Sequence, residues 1–171
     1  MSQTAASPSL PTIAFIGGGN MASAIIGGLI HQGQPASQIE VVEPWAEARE
    51  ALRKNYGIEA QAEAGPALQR AGIVVWAVKP QTFKDAAAQA QAHTQQALHL
   101  SVAAGIRSSS IAQWLATERI VRTMPNTPAL VGKGMSALYA RPAVTPAERQ
   151  SVEAIMASTG EFLWVEEEKQ L

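Results

Sequence analysis

The six residues Ile73-Val74-Val75-Trp76-Ala77-Val78 are apolar at every position, with no polar alternation. A strand with one wet face alternates, so an unbroken apolar run is covered on both faces and belongs at the centre of a parallel sheet. It lies within the strand expected over Gly72–Val78. Four other short runs rich in β-branched residues, Thr12–Gly17, Ile39–Glu43, Leu98–Ala103 and Arg119–Met124, are separated by longer Ala-rich amphipathic stretches. Parallel strands need crossover connections, and helices are the usual ones. The pattern predicts an α/β domain: a doubly wound, mainly parallel sheet with helices on both faces, in which the last strands can run antiparallel.

The expected helices run from Asn20 to Gln32, stopped by Gly33; from Trp45 to Lys54, opened by Pro44 and ended by Asn55-Tyr56-Gly57; and from Pro80 to about Gln91. A short strand at Ile58–Ala60 and a short helix at Gly65–Arg70 fill the gap before the central strand. Beyond Met124, Pro125-Asn126-Thr127-Pro128 with Gly132 and Gly134 reads as a loop. A strand at Ser136–Ala140, a helix begun by Thr145-Pro146 with Glu148 as capping-box partner, and a strand at Glu161–Val165 follow.

Composition narrows the chemistry. With 171 residues the chain supports one core, not two full domains. A net charge of −1 and a pI near 6.3 argue against nucleic-acid and anionic-membrane partners. No cysteine is present, which removes disulfides, thiolate nucleophiles and Cys-ligated metals. His31, His93 and His99 have no metal-ligand spacing, so no metal is expected. Residues 1–11, rich in Ser, Ala and Pro, read as a disordered tail and not a signal peptide, and no apolar run is long enough to span a membrane, so the expected location is the cytoplasm. The folded α/β domain is then residues 12–165.

Directly after the first strand, Gly17-Gly18-Gly19-Asn20-Met21-Ala22 reads as G-x-G-x-x-A entering a helix. The first glycine allows a tight turn, the second lets a pyrophosphate approach bare backbone, and the small last residue lets helix and strand pack closely. The helix N-terminus adds unpaired N–H groups and the positive end of its dipole. Glu43, 21 residues past Ala22, closes the second strand where a carboxylate can accept bonds from an adenosine ribose. A carboxylate there favours a free 2′-hydroxyl, hence NADH, yet Arg49, Arg53 and Lys54 on the next helix could serve a 2′-phosphate. Their alternative role is a solvated face paired with Glu47 and Glu50, and the choice between NADH and NADPH stays open. Trp45, Trp76, Trp114 and Trp164 are read as packing residues.

Five segments, IAFIGGGNMASAIIGGL, VVWAVKPQ, LSVAAGI, RIVRTMPNTPALVGKG and EEEKQL, together resemble the pyrroline-5-carboxylate reductases. The resemblance implies NAD(P)H-dependent reduction of 1-pyrroline-5-carboxylate, a small-molecule substrate, to L-proline. It implies that Ile16, Gly17, Gly18, Gly19, Asn20 and Met21 hold the cofactor phosphates and that Glu43 stands at the ribose-selecting position. Ala77, Val78, Lys79 and Pro80 would pass the adenosine side, and Ala103, Ala104, Gly105, Pro125, Asn126 and Thr127 would border the nicotinamide. Glu43 departs from the small polar or basic residue common in this family, and Ala64 stands where some relatives carry a polar adenine contact. Taken singly, Lys79 is also an ordinary cation before a helix, and Asn126 and Thr127 ordinary turn formers.

The family's sequence continues into a helical domain that supplies dimerisation and the substrate site. Residues 166–171 are expected to begin a helix leading towards it, with nothing in this chain for that acidic start to pack against. A homo-oligomer is expected through that domain, no catalytic residue is assigned here, and these 171 residues are expected to bind NAD(P)H with little or no turnover. Two other readings remain: a deazaflavin-dependent NADP reductase, which shares the glycine turn and the strand end in Val78-Lys79-Pro80, and a non-catalytic dinucleotide-binding module.

Overall fold

A computed structural model describes residues 10–124 and 134–171. Its strands are β1 (Thr12–Ile16), β2 (Ile39–Val42), β3 (Ala71–Trp76), β4 (Leu98–Ser101), β5 (Ile120–Met124), β6 (Gly134–Ala140) and β7 (Gly160–Trp164). Between them lie α1 (Asn20–His31), α2 (Ala46–Tyr56), α3 (Pro80–Ala90), α4 (Ser108–Leu115) and α5 (Pro146–Met156). The sheet order is β2-β1-β3-β4-β5-β6-β7, with β1 to β5 parallel, β6 antiparallel to β5, and β7 parallel to β6. The doubly wound sheet and the reversed last strands agree with the sequence.

Two apolar clusters sandwich the sheet. Ile13, Phe15, Ile73, Val75, Leu98 and Leu100 face one, with Ile25, Ile26 and Leu29 of α1 and Val152 and Ile155 of α5. Ala14, Val74 and Trp76 face the other, with Phe83 and Ala87 of α3 and Ile111 and Leu115 of α4. Successive side chains of β1 and β3 thus enter opposite cores, which is why neither strand alternates with polar residues.

The expected strand at Ile58–Ala60 is reduced to a single parallel bridge, Val42 to Gln61. Gln61 N–H donates to Val41 O at 2.8 Å and Gln61 O accepts from Glu43 N–H at 2.7 Å. Glu59 and Gln61 are exposed, so this edge segment has only Ile58 to bury and forms no ladder. Residues 65–70 form a 3-10 turn over Pro66–Arg70 in place of an α-helix. The α5 start forms as expected, with Thr145 accepting from Glu148 N–H at 3.1 Å and Glu148 returning the bond to Thr145 N–H at 2.9 Å.

Candidate functional site

Strand register builds the site. Val42, Ile16, Trp76, Ser101 and Arg122 are direct partners in one row across β2, β1, β3, β4 and β5. The residues that follow β2, β1, β3 and β4 therefore emerge at the same carboxyl edge, Glu43, Gly17, Ala77 and Val102, while β5 runs on to Met124. Three strand spacings, roughly 14 Å, separate Glu43 from Val102. The chain leaves β1 towards β2 on one side and resumes at β3 on the other, so the glycine turn opens at the switch point where open α/β sheets bind ligands.

The turn is tightly built at its start and open at its end. Gly17 has φ +99°, and a Cβ there would meet the Ala77 carbonyl oxygen at 2.4 Å. At Gly18 a Cβ would come within 2.9 Å of Leu52. At Gly19 it would meet nothing within 4 Å, and Gly19 and Asn20 are exposed. Among the described residues no side chain caps the first turn of α1, so its first N–H groups are left without a side-chain partner. An anionic pyrophosphate fits this cradle, because it needs bare backbone donors and no Cβ in its path. Ile16 ends β1 beneath the turn, and Met21 is half-buried against the α1 core.

Glu43 sits beside the turn. One carboxylate oxygen accepts from Gly18 N–H at 2.7 Å and the other from Trp45 N–H at 2.9 Å. The carboxylate thereby fixes both the glycine turn and the entry to α2, and each oxygen keeps a lone pair for a ribose hydroxyl. Arg49 does not point a free guanidinium at this place: its Nη1 donates to the carbonyls of Glu43 and Pro44 at 3.0 and 2.7 Å. Arg53 pairs with Glu50 on the exposed face of α2. The packing role read for Trp45 is corrected by the structure. Its side chain is 63% exposed at the lip of the cleft, because the residue caps α2 from outside the helix. The other three indoles pack: Trp76 on Phe83 and His99, Trp114 on Phe83, and Trp164 on Glu153 and Arg149.

Ala77 N–H donates to Ile16 O at 2.8 Å, so the Ala77–Val78 step borders the glycine turn. Lys79 and Pro80 are exposed at the start of α3, and Lys79 has no ion-pair partner among the described residues. Ala64 is half-buried beside a small pocket of about 100 Å³ lined by Glu63, Gly65 and Val42 among others. Ala103 N–H donates to the buried Ser101 hydroxyl at 3.2 Å, and the following Ala104 and Gly105 are exposed. Pro125, Asn126 and Thr127 lie outside the described residues.

Sequence reasoning missed one cluster at this edge. Glu168 accepts from Ser108 N–H at 2.5 Å, from the Ser108 hydroxyl at 2.7 Å and from Arg122 Nη1 at 2.7 Å. Burial pushes its carboxyl up, but the Ser108 and Arg122 bonds outweigh that and hold it below the usual carboxylate range. The expectation that the acidic terminus has nothing to pack against is therefore corrected. Its last turn, Glu168–Gln170, is 3-10, and Glu168 is anchored to residues 60 and 46 positions away. Arg122 was the available signal, since a buried cation in an otherwise apolar strand requires a counter-charge.

Several known proteins are similar to this chain. The chain is 42% identical over 165 residues to a pyrroline-5-carboxylate reductase of Pseudomonas aeruginosa and 40% identical over 158 residues to one of Vibrio alginolyticus, covering 95% and 91% of this chain. It spans 60% and 58% of those relatives' own lengths. A solved pyrroline-5-carboxylate reductase from Coxiella burnetii superposes with a TM-score of 0.88 at 32% identity, over 95% of this chain and 61% of that one. The Plasmodium falciparum pyrroline carboxylate reductase with NADP bound shares the fold, with a TM-score of 0.80 at 23% identity, over 94% of this chain and 59% of that one. Residues 12–105, more than half of the chain, match the family described as NADP oxidoreductase coenzyme F420-dependent, and the chain belongs to that family.

Proposed function

We propose that this chain holds NADH or NADPH for the reduction of 1-pyrroline-5-carboxylate to L-proline. The observation that carries the reading is the row of strand ends: it brings the open glycine turn, Glu43, Ala77 and the Ala103–Gly105 segment to one carboxyl edge. Similarity to pyrroline-5-carboxylate reductases along nearly the whole chain supports the choice of substrate.

When bound, the reduced nicotinamide supplies the hydride for the imine carbon. The chain's own residues bind and orient. Gly19 and the first N–H groups of α1 receive the phosphates, Gly18 is braced beneath them by its bond to Glu43, and Met21 packs the helix that presents them. Glu43 accepts from the adenosine ribose, while Val78, Lys79 and Pro80 flank the adenosine side. Ala103, Ala104 and Gly105, with Pro125, Asn126 and Thr127, border the nicotinamide. Near-attack geometry between hydride donor and imine is the main catalytic contribution in such a reaction, and it begins with a firmly seated cofactor.

No helix among the described residues is long and apolar enough to cross a membrane. A cytoplasmic location, homo-oligomerisation through segments outside this chain, and the absence of nucleic-acid or membrane partners belong to the same proposal; a pI near 6.3 supports the last of these. Growth without proline tests the reaction. A proline-requiring strain that lacks its own reductase is expected to stay auxotrophic with these 171 residues alone, and to grow with a hybrid in which they replace the matching segment of a pyrroline-5-carboxylate reductase. Failure of the hybrid to support growth while it still binds cofactor would assign the platform to another reductase, and the deazaflavin-linked description of the family makes that the second reading.

A further inference from the structure

The segment Ala103–Arg107 joins β4 to α4 and carries the exposed Ala104–Gly105 turn. Its first end is fixed by the bond from Ala103 N–H to the Ser101 hydroxyl. Its second end meets α4, whose cap residue Arg107 provides no side-chain bond to the helix's first turn. A helix start without a cap leaves N–H groups unsatisfied and frays. Here the missing cap arrives from far along the chain: Glu168 accepts from both the backbone and the hydroxyl of Ser108, the first residue of α4.

Two cations complete the lock. Arg122, 6% exposed on β5, gives Nη1 to Glu168, while its Nε has no partner among the described residues. Arg141 donates to the Ser108 hydroxyl at 3.0 Å and pairs with Glu118 at 2.7 Å. Among the described residues, Glu168 is thus the carboxylate bonded to the buried Arg122 guanidinium: its Oε2 accepts from both Arg122 Nη1 and Ser108 N–H, and its Oε1 from the Ser108 hydroxyl. Removing it leaves a buried charge unpaired and a helix start uncapped, both next to the Ala104–Gly105 turn.

We propose that Glu168 is a positioning residue, which holds the start of α4, and through it the Ala104–Gly105 turn, where the nicotinamide half of the cofactor rests. The inference depends on the proposed function, since it takes that turn as the nicotinamide border. It separates the two halves of the cofactor: Glu43 and the glycine turn serve the adenosine and phosphates, two to four strand spacings away from the lock.

That separation supplies the test. NADH and ADP-ribose, which lacks the nicotinamide, are each titrated into the 171-residue chain and into its Glu168→Gln and Ser108→Ala variants, with thermal unfolding measured on the same samples. Ser108→Ala keeps the Glu168–Arg122 pair and removes only the hydroxyl bonds, so it provides a folded comparison if Glu168→Gln is too unstable to titrate. A displaced turn is expected to weaken NADH binding by roughly fivefold or more, well within what small misplacements can cost, while ADP-ribose binding stays within about twofold. Equal losses for both ligands, or no loss for either, would overturn the role of Glu168. Failure of the unaltered chain to bind either ligand would overturn the cofactor reading itself.

Discussion

At the scale of single residues, the three glycines after β1 divide their work in a way that substitution can expose. Gly17 is needed by the fold, with a left-handed φ and the Ala77 carbonyl 2.4 Å from where a Cβ would be. Gly17→Ala is expected to destabilise the chain by about 2 kcal/mol or more, seen as a lower unfolding midpoint, with cofactor binding lost alongside. Gly19 has open space around it, so Gly19→Ala is expected to change stability by less than about 1 kcal/mol. It should still weaken NADH binding by roughly tenfold or more in calorimetry, if the phosphates approach its bare backbone. Unchanged binding in Gly19→Ala would place the phosphates elsewhere. Glu43 gives a second contrast. A carboxylate a few ångströms from a 2′-phosphate repels it by about 1 kcal/mol, so Glu43→Ser is expected to move the NADPH-to-NADH affinity ratio roughly fivefold towards NADPH. The ratio is the informative quantity, because losing the bond to Gly18 N–H weakens both cofactors together. A ratio that does not move would show that Glu43 braces the turn without choosing the cofactor.

At the scale of elements, β3 and β4 are tied by a polar pair inside the core. Trp76 Nε1 donates to His99 Nδ1 at 2.9 Å, which leaves the His99 proton on Nε2, towards Thr94 O at 3.3 Å. Burial pushes the His99 pKa down to about 4 from its ordinary 6.5, so the ring is neutral in the fold. The unfolded chain then takes up a proton before the folded one does. His99's contribution is whole above pH 6.5 and lost as pH falls towards 4, on the order of 3 kcal/mol across that window. Denaturant midpoints measured between those limits should fall with pH, and His99→Gln should flatten the slope. Glu148 and Glu168, both held below the ordinary carboxylate value of 4.5, add their losses only at lower pH. The elements themselves were largely legible. Seven strands fall within two residues of their expected bounds, because two-sided apolar runs and Pro and Gly punctuation are local signals. The 3-10 turn at Pro66–Arg70 and the single bridge at Gln61 were not, since an edge segment with little to bury follows its neighbours more than its own composition. The bounds of α4 were also silent, as its capping group lies 60 residues away in sequence.

At the scale of the whole molecule, the sheet order explains why residues spread from Gly17 to Gly105 meet at one edge: four parallel strands, β2, β1, β3 and β4, end in one row, and each of these segments begins one or two residues later. The glycine turn and Glu43 could be read from sequence because their chemistry demands particular residues at particular spacings. Glu168, Ser108 and Arg122 could not, because long-range pairing leaves no periodic trace, and the exposure of Trp45 depends on where α2 starts. The proposed function requires this carboxyl edge to seat a dinucleotide. Calorimetric titration of the 171-residue chain with NADH and with NADPH tests it most directly. The account predicts saturable binding of one equivalent of at least one of them, strongly weakened in Gly19→Ala while the variant remains folded; absence of binding by the folded chain to both would contradict it.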